Sequence, residues 1–191
     1  LCAKATASAK ASRGPDCELT VEAIVEAANY NAPGQVVIAG SADGIEAAIQ
    51  LIQAGEFPGG KAIPLQVSAP FHCRLMEPAR SKMAQIFADA PSSEKPQPLN
   101  CPYVPNRTGR ISTESGIILE LLVDQIDHPV LWTQSIESLI LAGFTQAVEF
   151  GPGKVLQGLS KRISKSFGKP FDTHSVGDTE TIRIFEKGGH A

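Results

Sequence analysis

Apolar and polar positions alternate with two periods along this chain, and they divide it into short strands and amphipathic helices. Residues 1–12 are alanine-rich and helix-favouring, and Gly14 and Pro15 in "SRGPD" then break the pattern. "LTVEAIVEAANYN" is ambiguous, because Ala and Glu favour helix while Val21, Ile24 and Val25 tolerate strand. After a turn at "APG", the apolar run "QVVIAG" ends at Gly40 and reads as a buried strand. Ser41 is a good N-cap for the helix "ADGIEAAIQLIQAG", where Ile45, Ala48, Ile49 and Ile52 share a face and Gly55 closes it.

"GGKAIPLQVS" predicts a strand broken at Pro64. Met76, Ala79, Met83, Ile86 and Phe87 then follow helical spacing. "PLNCPYVPNRTG" is extended. "STESGIILELLVDQI" and "PVLWTQSIESLILAGF" predict two helices, the second with Pro129 near its start. The strand "TQAVEF", the turn "GPG" and the helix "KVLQGLSKRISKSF" come next, and "FDTHSV" and "TETIRIFEKG" add a last strand and helix. Alternation of this kind from residue 71 onward indicates an α/β fold with parallel strands.

Composition narrows the function classes. The chain has 191 residues, enough for one large or two small domains, and a net charge of −3 argues against a general nucleic-acid binder. No apolar run approaches the ~18 residues of a membrane span. "LCAKATASAKAS" lacks the apolar centre of a secretion signal. It also lacks an initiator Met, so the chain reads as a fragment. Cys2, Cys17, Cys73 and Cys101 form no C-x-x-C pair, which argues against zinc, and they read as reduced cytosolic thiols.

Candidate chemistry centres on "VSAPFHCRLMEPA", Val67 to Ala79. A lone histidine is more often structural than catalytic. His72, however, sits where an extended, proline-restricted segment meets a helix, and such junctions project side chains into the ligand crevice of α/β folds. Its neighbour Cys73 reads as core filler, since consecutive side chains rarely meet. "EFGPGKVLQGL" joins a strand, a tight turn and a helix N-terminus, which could receive an anion, although neither nucleotide-binding glycine motif is present. No G-x-S-x-G elbow occurs, so no serine is assignable as nucleophile. His128, His174 and His190 show no metal-ligand spacing.

"NYNAPGQVVIAG", "IPLQVSAPFHCRLMEPA", "DHPVLWTQSIE" and "VEFGPGKVLQGLSKRI", in this order and at this spacing over residues 20 to 165, resemble signatures of the malonyl-CoA:acyl carrier protein transacylases of bacterial fatty acid synthesis. The resemblance implies an α/β-hydrolase-like large subdomain with an inserted ferredoxin-like small one. Residues 1–70 would be the small subdomain without its first strand, and residues 71–191 the C-terminal part of the large one. Segment 20–30 would then be strand, against its local propensity.

The family's chemistry is a ping-pong transfer of malonyl from coenzyme A to serine and then to the phosphopantetheine thiol of acyl carrier protein. The resemblance makes His72 the general base and Gln125 the residue whose backbone carbonyl orients it. Phe71 becomes a residue of the acyl pocket that selects malonyl over methylmalonyl. It also implies no cofactor, acyl carrier protein and a coenzyme A thioester as partners, a cytoplasmic location and a monomer. The family's G-H-S-x-G serine, oxyanion glutamine and carboxylate-binding arginine have no match here, so the chain alone is expected to be inactive. The competing readings are an acyltransferase domain cut from a polyketide or fatty acid synthase, and a carrier-protein-binding module without chemistry.

Overall fold

The computed structural model describes residues 1–13, 22–91, 93 and 95–187. It is an α/β structure of seven α-helices and four strands among those residues. The turn expected at Gly14 and Pro15, Cys17 and His190 all lie outside the described residues. Two compact units emerge from the contacts, and each is described by itself.

The first unit draws its described residues from Leu1–Asn29, Val36–Leu99 and Glu114–Val130. Helices α1 (Cys2–Ser12) and α2 (Ala42–Gln53) pack together, and strands β1 (Val25–Ala32) and β2 (Gln35–Gly40) form a hairpin across a two-residue turn. Ala5 and Ala9 of α1, one turn apart on one face, meet Ala47 and Ala48 of α2, together with Ala23 and Val25. Small side chains let these elements approach closely. Gly40 shows how closely: a Cβ there would stand 2.0 Å from the Ile24 carbonyl oxygen. Ser41 caps α2 by accepting the Gly44 N–H, and the same hydroxyl oxygen accepts the Ile24 N–H. The Asp43 carboxyl, hydrogen-bonded by the Arg13 guanidinium and by Ser41, is lowered to about 2.

The ambiguous segment is therefore strand where β1 covers it, from Val25. The expected strand at "GGKAIPLQVS" does not form. Strands need a paired neighbour, and described strands pair only as β1–β2 and β3–β4. Pro64 also removes a donor. Ile63, Leu65 and Val67 alternate as a strand would, but are 79%, 58% and 65% exposed, so no packing holds them extended. A short 3₁₀ turn, Arg74–Met76, leads instead into α3 (Glu77–Asp89), which packs on α4 (Ile118–Asp124).

The second unit draws on Tyr30–Gln35, Asn100–Thr113 and residues from Leu131 onward. Strand β3 (Gln146–Phe150) pairs in parallel with β4 (Asp172–Val176), in the register Gln146 to Asp172 through Phe150 to Val176. The crossover is α6 (Val155–Phe167), and α5 (Trp132–Leu141) packs against it. Their core is Ala32, Ile136, Ile140, Leu159, Ile163 and Phe171. Helix α7 (Thr179–Glu186) begins with a reciprocal cap between Asp178 and Thr181. No helix of the described residues is long and apolar enough to cross a membrane.

Candidate active site

His72 is the one described non-glycine residue with a positive φ, 61°. Left-handed backbone is costly for L-residues, although histidine tolerates it better than most. Two hydrogen bonds fix it. The His72 N–H donates to the Ile126 carbonyl at 3.2 Å, and the ring Nδ1 lies 2.6 Å from the Gln125 carbonyl oxygen. Both acceptors come from the end of α4, where Gln125 is the C-cap. The last carbonyls of a helix have no partner inside it, so that end is a natural place to hold a donor ring.

A carbonyl only accepts, so Nδ1 carries the proton, and in the neutral ring the lone pair is then on Nε2. His72 is half-buried. Such a ring is held in one tautomer and can take a proton at Nε2. The neighbours secure the loop on either side. The Phe71 N–H donates to the Ala69 carbonyl at 2.9 Å. Cys73 is fully buried and its Sγ accepts the Leu75 N–H, starting the 3₁₀ turn. Burial pushes the Cys73 thiol up, away from thiolate, which suits packing and not nucleophilic attack. Arg74 donates its backbone N–H and Nε to the Glu26 carboxylate, at 2.9 and 2.7 Å.

Phe71 precedes His72 in the chain, and half of its surface is exposed. Gln125 meets His72 through its main chain. Sequence reasoning missed Arg80, Asp124 and Asp127, which surround the same helix end. Arg80 Nη2 lies 2.5 Å from Asp124 Oδ1, and Arg80 Nε lies 3.4 Å from Asp127 Oδ1. Their signal was position: Asp124 and Asp127 flank the dipeptide whose carbonyls receive His72.

The helix start that could have received an anion is already filled. The Glu149 carboxylate accepts the Leu156 and Gln157 N–H groups at 3.0 and 2.9 Å and the Ser175 hydroxyl at 3.1 Å. Burial opposes its charge, but the three donors together hold its pKa below the ordinary value. His128 Nδ1 donates to the Asp124 carbonyl and to Asp127, and His174 lies in β4. No group of three or more His, Cys, Asp or Glu side chains among the described residues could hold a metal ion.

A histidine whose Nδ1 proton is held by a carbonyl is oriented as a general base would be. No family model matches the chain. It is 39% identical over 161 residues to the malonyl CoA-acyl carrier protein transacylase of Bacillus subtilis, which covers 84% of this chain and 48% of that protein. The solved malonyl-CoA:acyl carrier protein transacylase of Xanthomonas oryzae is similar at 32% identity and a TM-score of 0.77, over 98% of this chain and 54% of that one. A malonyl-transacylase solved in complex with a type II polyketide acyl carrier protein matches at 32% identity and a TM-score of 0.77, over 98% of this chain and 55% of that one. The chain is thus a relative of the malonyl-CoA:acyl carrier protein transacylases, and it spans about half the length of the relatives it matches.

Proposed function

We propose that the protein to which these residues belong transfers malonyl from malonyl-CoA to the phosphopantetheine thiol of acyl carrier protein. The observation that carries this is the His72 ring, bonded through Nδ1 to the Gln125 carbonyl with Nε2 left as base, in a chain related to these transacylases. The nucleophile is a serine that no motif of this chain supplies.

In the first half-reaction the serine oxygen attacks the thioester carbonyl and His72 Nε2 takes its proton. The carbon–sulfur bond breaks, and that proton passes to the coenzyme A thiolate. In the second, Nε2 takes the proton of the phosphopantetheine thiol, sulfur attacks the acyl-serine carbonyl, the carbon–oxygen ester bond breaks, and the serine oxygen recovers the proton. A neutral carbonyl suffices to orient His72, because it fixes the tautomer and the ring plane. The chemistry needs no cofactor.

On the same reading, Phe71 borders the acyl pocket and its ring fills the space of an α-methyl group. Residues 1–70 belong to a ferredoxin-like subdomain and 71–191 to an α/β-hydrolase-like one. The protein works as a cytoplasmic monomer. The relative solved with a polyketide carrier protein supports carrier protein as the acceptor class. Intact-mass spectrometry of the full-length protein after incubation with malonyl-CoA should show one malonyl adduct, localised to a serine. An intact, folded protein that gains no adduct would sink the assignment.

A further inference from the structure

We infer that Arg80 is a positioning residue for His72: its guanidinium clamps the two residues flanking the dipeptide whose carbonyls hold the histidine. The inference rests on the reading of His72 as the base.

The geometry is a closed ring of contacts. From His72 the chain runs through buried Cys73 and the 3₁₀ turn into α3, which carries Arg80 on its first turn. Arg80 Nη2 and Nε donate to Asp124 Oδ1 at 2.5 and 3.2 Å, and Nε also lies 3.4 Å from Asp127 Oδ1. Between those aspartates, Gln125 and Ile126 offer the carbonyls that accept the His72 ring and backbone N–H. The loop bearing the histidine is therefore tied twice to the end of α4, once by the histidine and once by Arg80. Without the second tie, the helix end can rotate about the first and leave the Nδ1 proton unbonded.

Surrounding groups favour the clamp over a chance surface pair. The Asp127 side chain is only 8% exposed and also accepts from His128 Nδ1 at 2.6 Å. The same His128 proton reaches the Asp124 carbonyl at 2.9 Å, bracing the turn from its far side. The Asp124 hydrogen bond, with the Asp127 and Glu77 charges, raises the Arg80 pKa against its desolvation. Arg74 and Glu26 pair with each other at the start of the 3₁₀ turn. A guanidinium holds two carboxylates at positions fixed by its planar fork, whereas an ammonium is a rotatable point charge that sets no such geometry.

The test uses the full-length protein, with Arg80→Met and Arg80→Lys beside wild type. Two quantities are read: the His72 tautomer by ¹⁵N-histidine NMR, and kcat against KM in malonyl transfer. Wild type should show a single Nδ1–H form. Arg80→Met should show a mixture of both tautomers and a kcat lower by about tenfold, with KM for malonyl-CoA within about twofold. Arg80→Lys, which keeps the charge and one contact, should fall between. If Arg80→Met fails to fold, Arg80→Lys and Asp127→Asn supply the same readings. A single Nδ1–H tautomer and unchanged kcat in folded variants overturn the clamp, even if the melting temperature falls. If wild type transfers no malonyl, the functional reading fails, while the tautomer populations still decide the clamp.

Discussion

Two junctions in this molecule deliver a chain from extended backbone into a helix, and each needs backbone of positive φ. At the first, a histidine takes it, with φ 61°. At the second, Gly151 and Gly153 take it, at 136° and 91°, and a Cβ at either would meet nothing within 4 Å. Those glycines serve conformation and not close approach. Histidine in left-handed backbone costs about 1–2 kcal/mol, offset at His72 by hydrogen bonds to residues 125 and 126. The second junction also closes its helix end with the Glu149 carboxylate, whereas the first spends its hydrogen bonds on the His72 ring and backbone. Strain is kept where a side chain must be aimed and avoided where the turn is only scaffold.

The largest test of that contrast removes the aimed group. His72→Ala in the full-length protein should lower turnover by about 10²–10⁴-fold and leave the fold intact, measured by malonyl transfer and circular dichroism. Near-normal turnover would make the first junction scaffold as well.

The next effect concerns the residue before it. Phe71→Ser should raise the methylmalonyl-to-malonyl ratio of kcat/KM, by about 10–200-fold at most, in competition kinetics with both CoA esters. An unchanged ratio in a folded mutant would confine selection to other residues.

At the second junction the expected loss is stability and not activity. Glu149→Ala should cost about 1–2 kcal/mol by removing the acceptor of two helix-start N–H groups, read by urea melts. Because the folded pKa of Glu149 is lowered from 4.5, its stabilisation is complete above the unfolded value and disappears as pH falls through the folded one. The gap between wild type and mutant should therefore close in acid below about pH 4. A gap independent of pH would show that the charge is not what seals the helix.

The smallest effect returns to the first junction. Gln125→Ala keeps the carbonyl, so turnover should change by less than about tenfold. A loss as large as that of His72→Ala would transfer the role to the side chain.

Local signals carried much of this fold. Ser41 and Gly55 bracket α2 as capping chemistry requires, and Leu159 and Ile163 mark the buried face of α6. What failed locally depended on distant partners. Ile63, Leu65 and Val67 have a strand's alternation, but no described strand pairs with them. Propensity left residues 20–30 undecided, and hairpin pairing decided Val25 onward. At the site, His72 was visible from its junction, but the carbonyl 53 positions away came only through family resemblance. Arg80 was invisible, because a surface arginine on a helix carries no mark of the two aspartates it will meet. The glycine turn was legible as a turn, but nothing in "EFGPG" says that its own glutamate will fold back onto the helix start.

Cys73 gives the histidine loop a built-in clock. Its thiol is shut away directly beside His72, while the Cys101 thiol is exposed to solvent. An alkylating reagent reaches Cys101 at once and Cys73 only when a local opening uncovers it. The ratio of the two labelling rates, corrected for thiol reactivity, is the fraction of time the surroundings of Cys73 spend open. It measures how often the segment that carries His72 opens while every side chain is still in place.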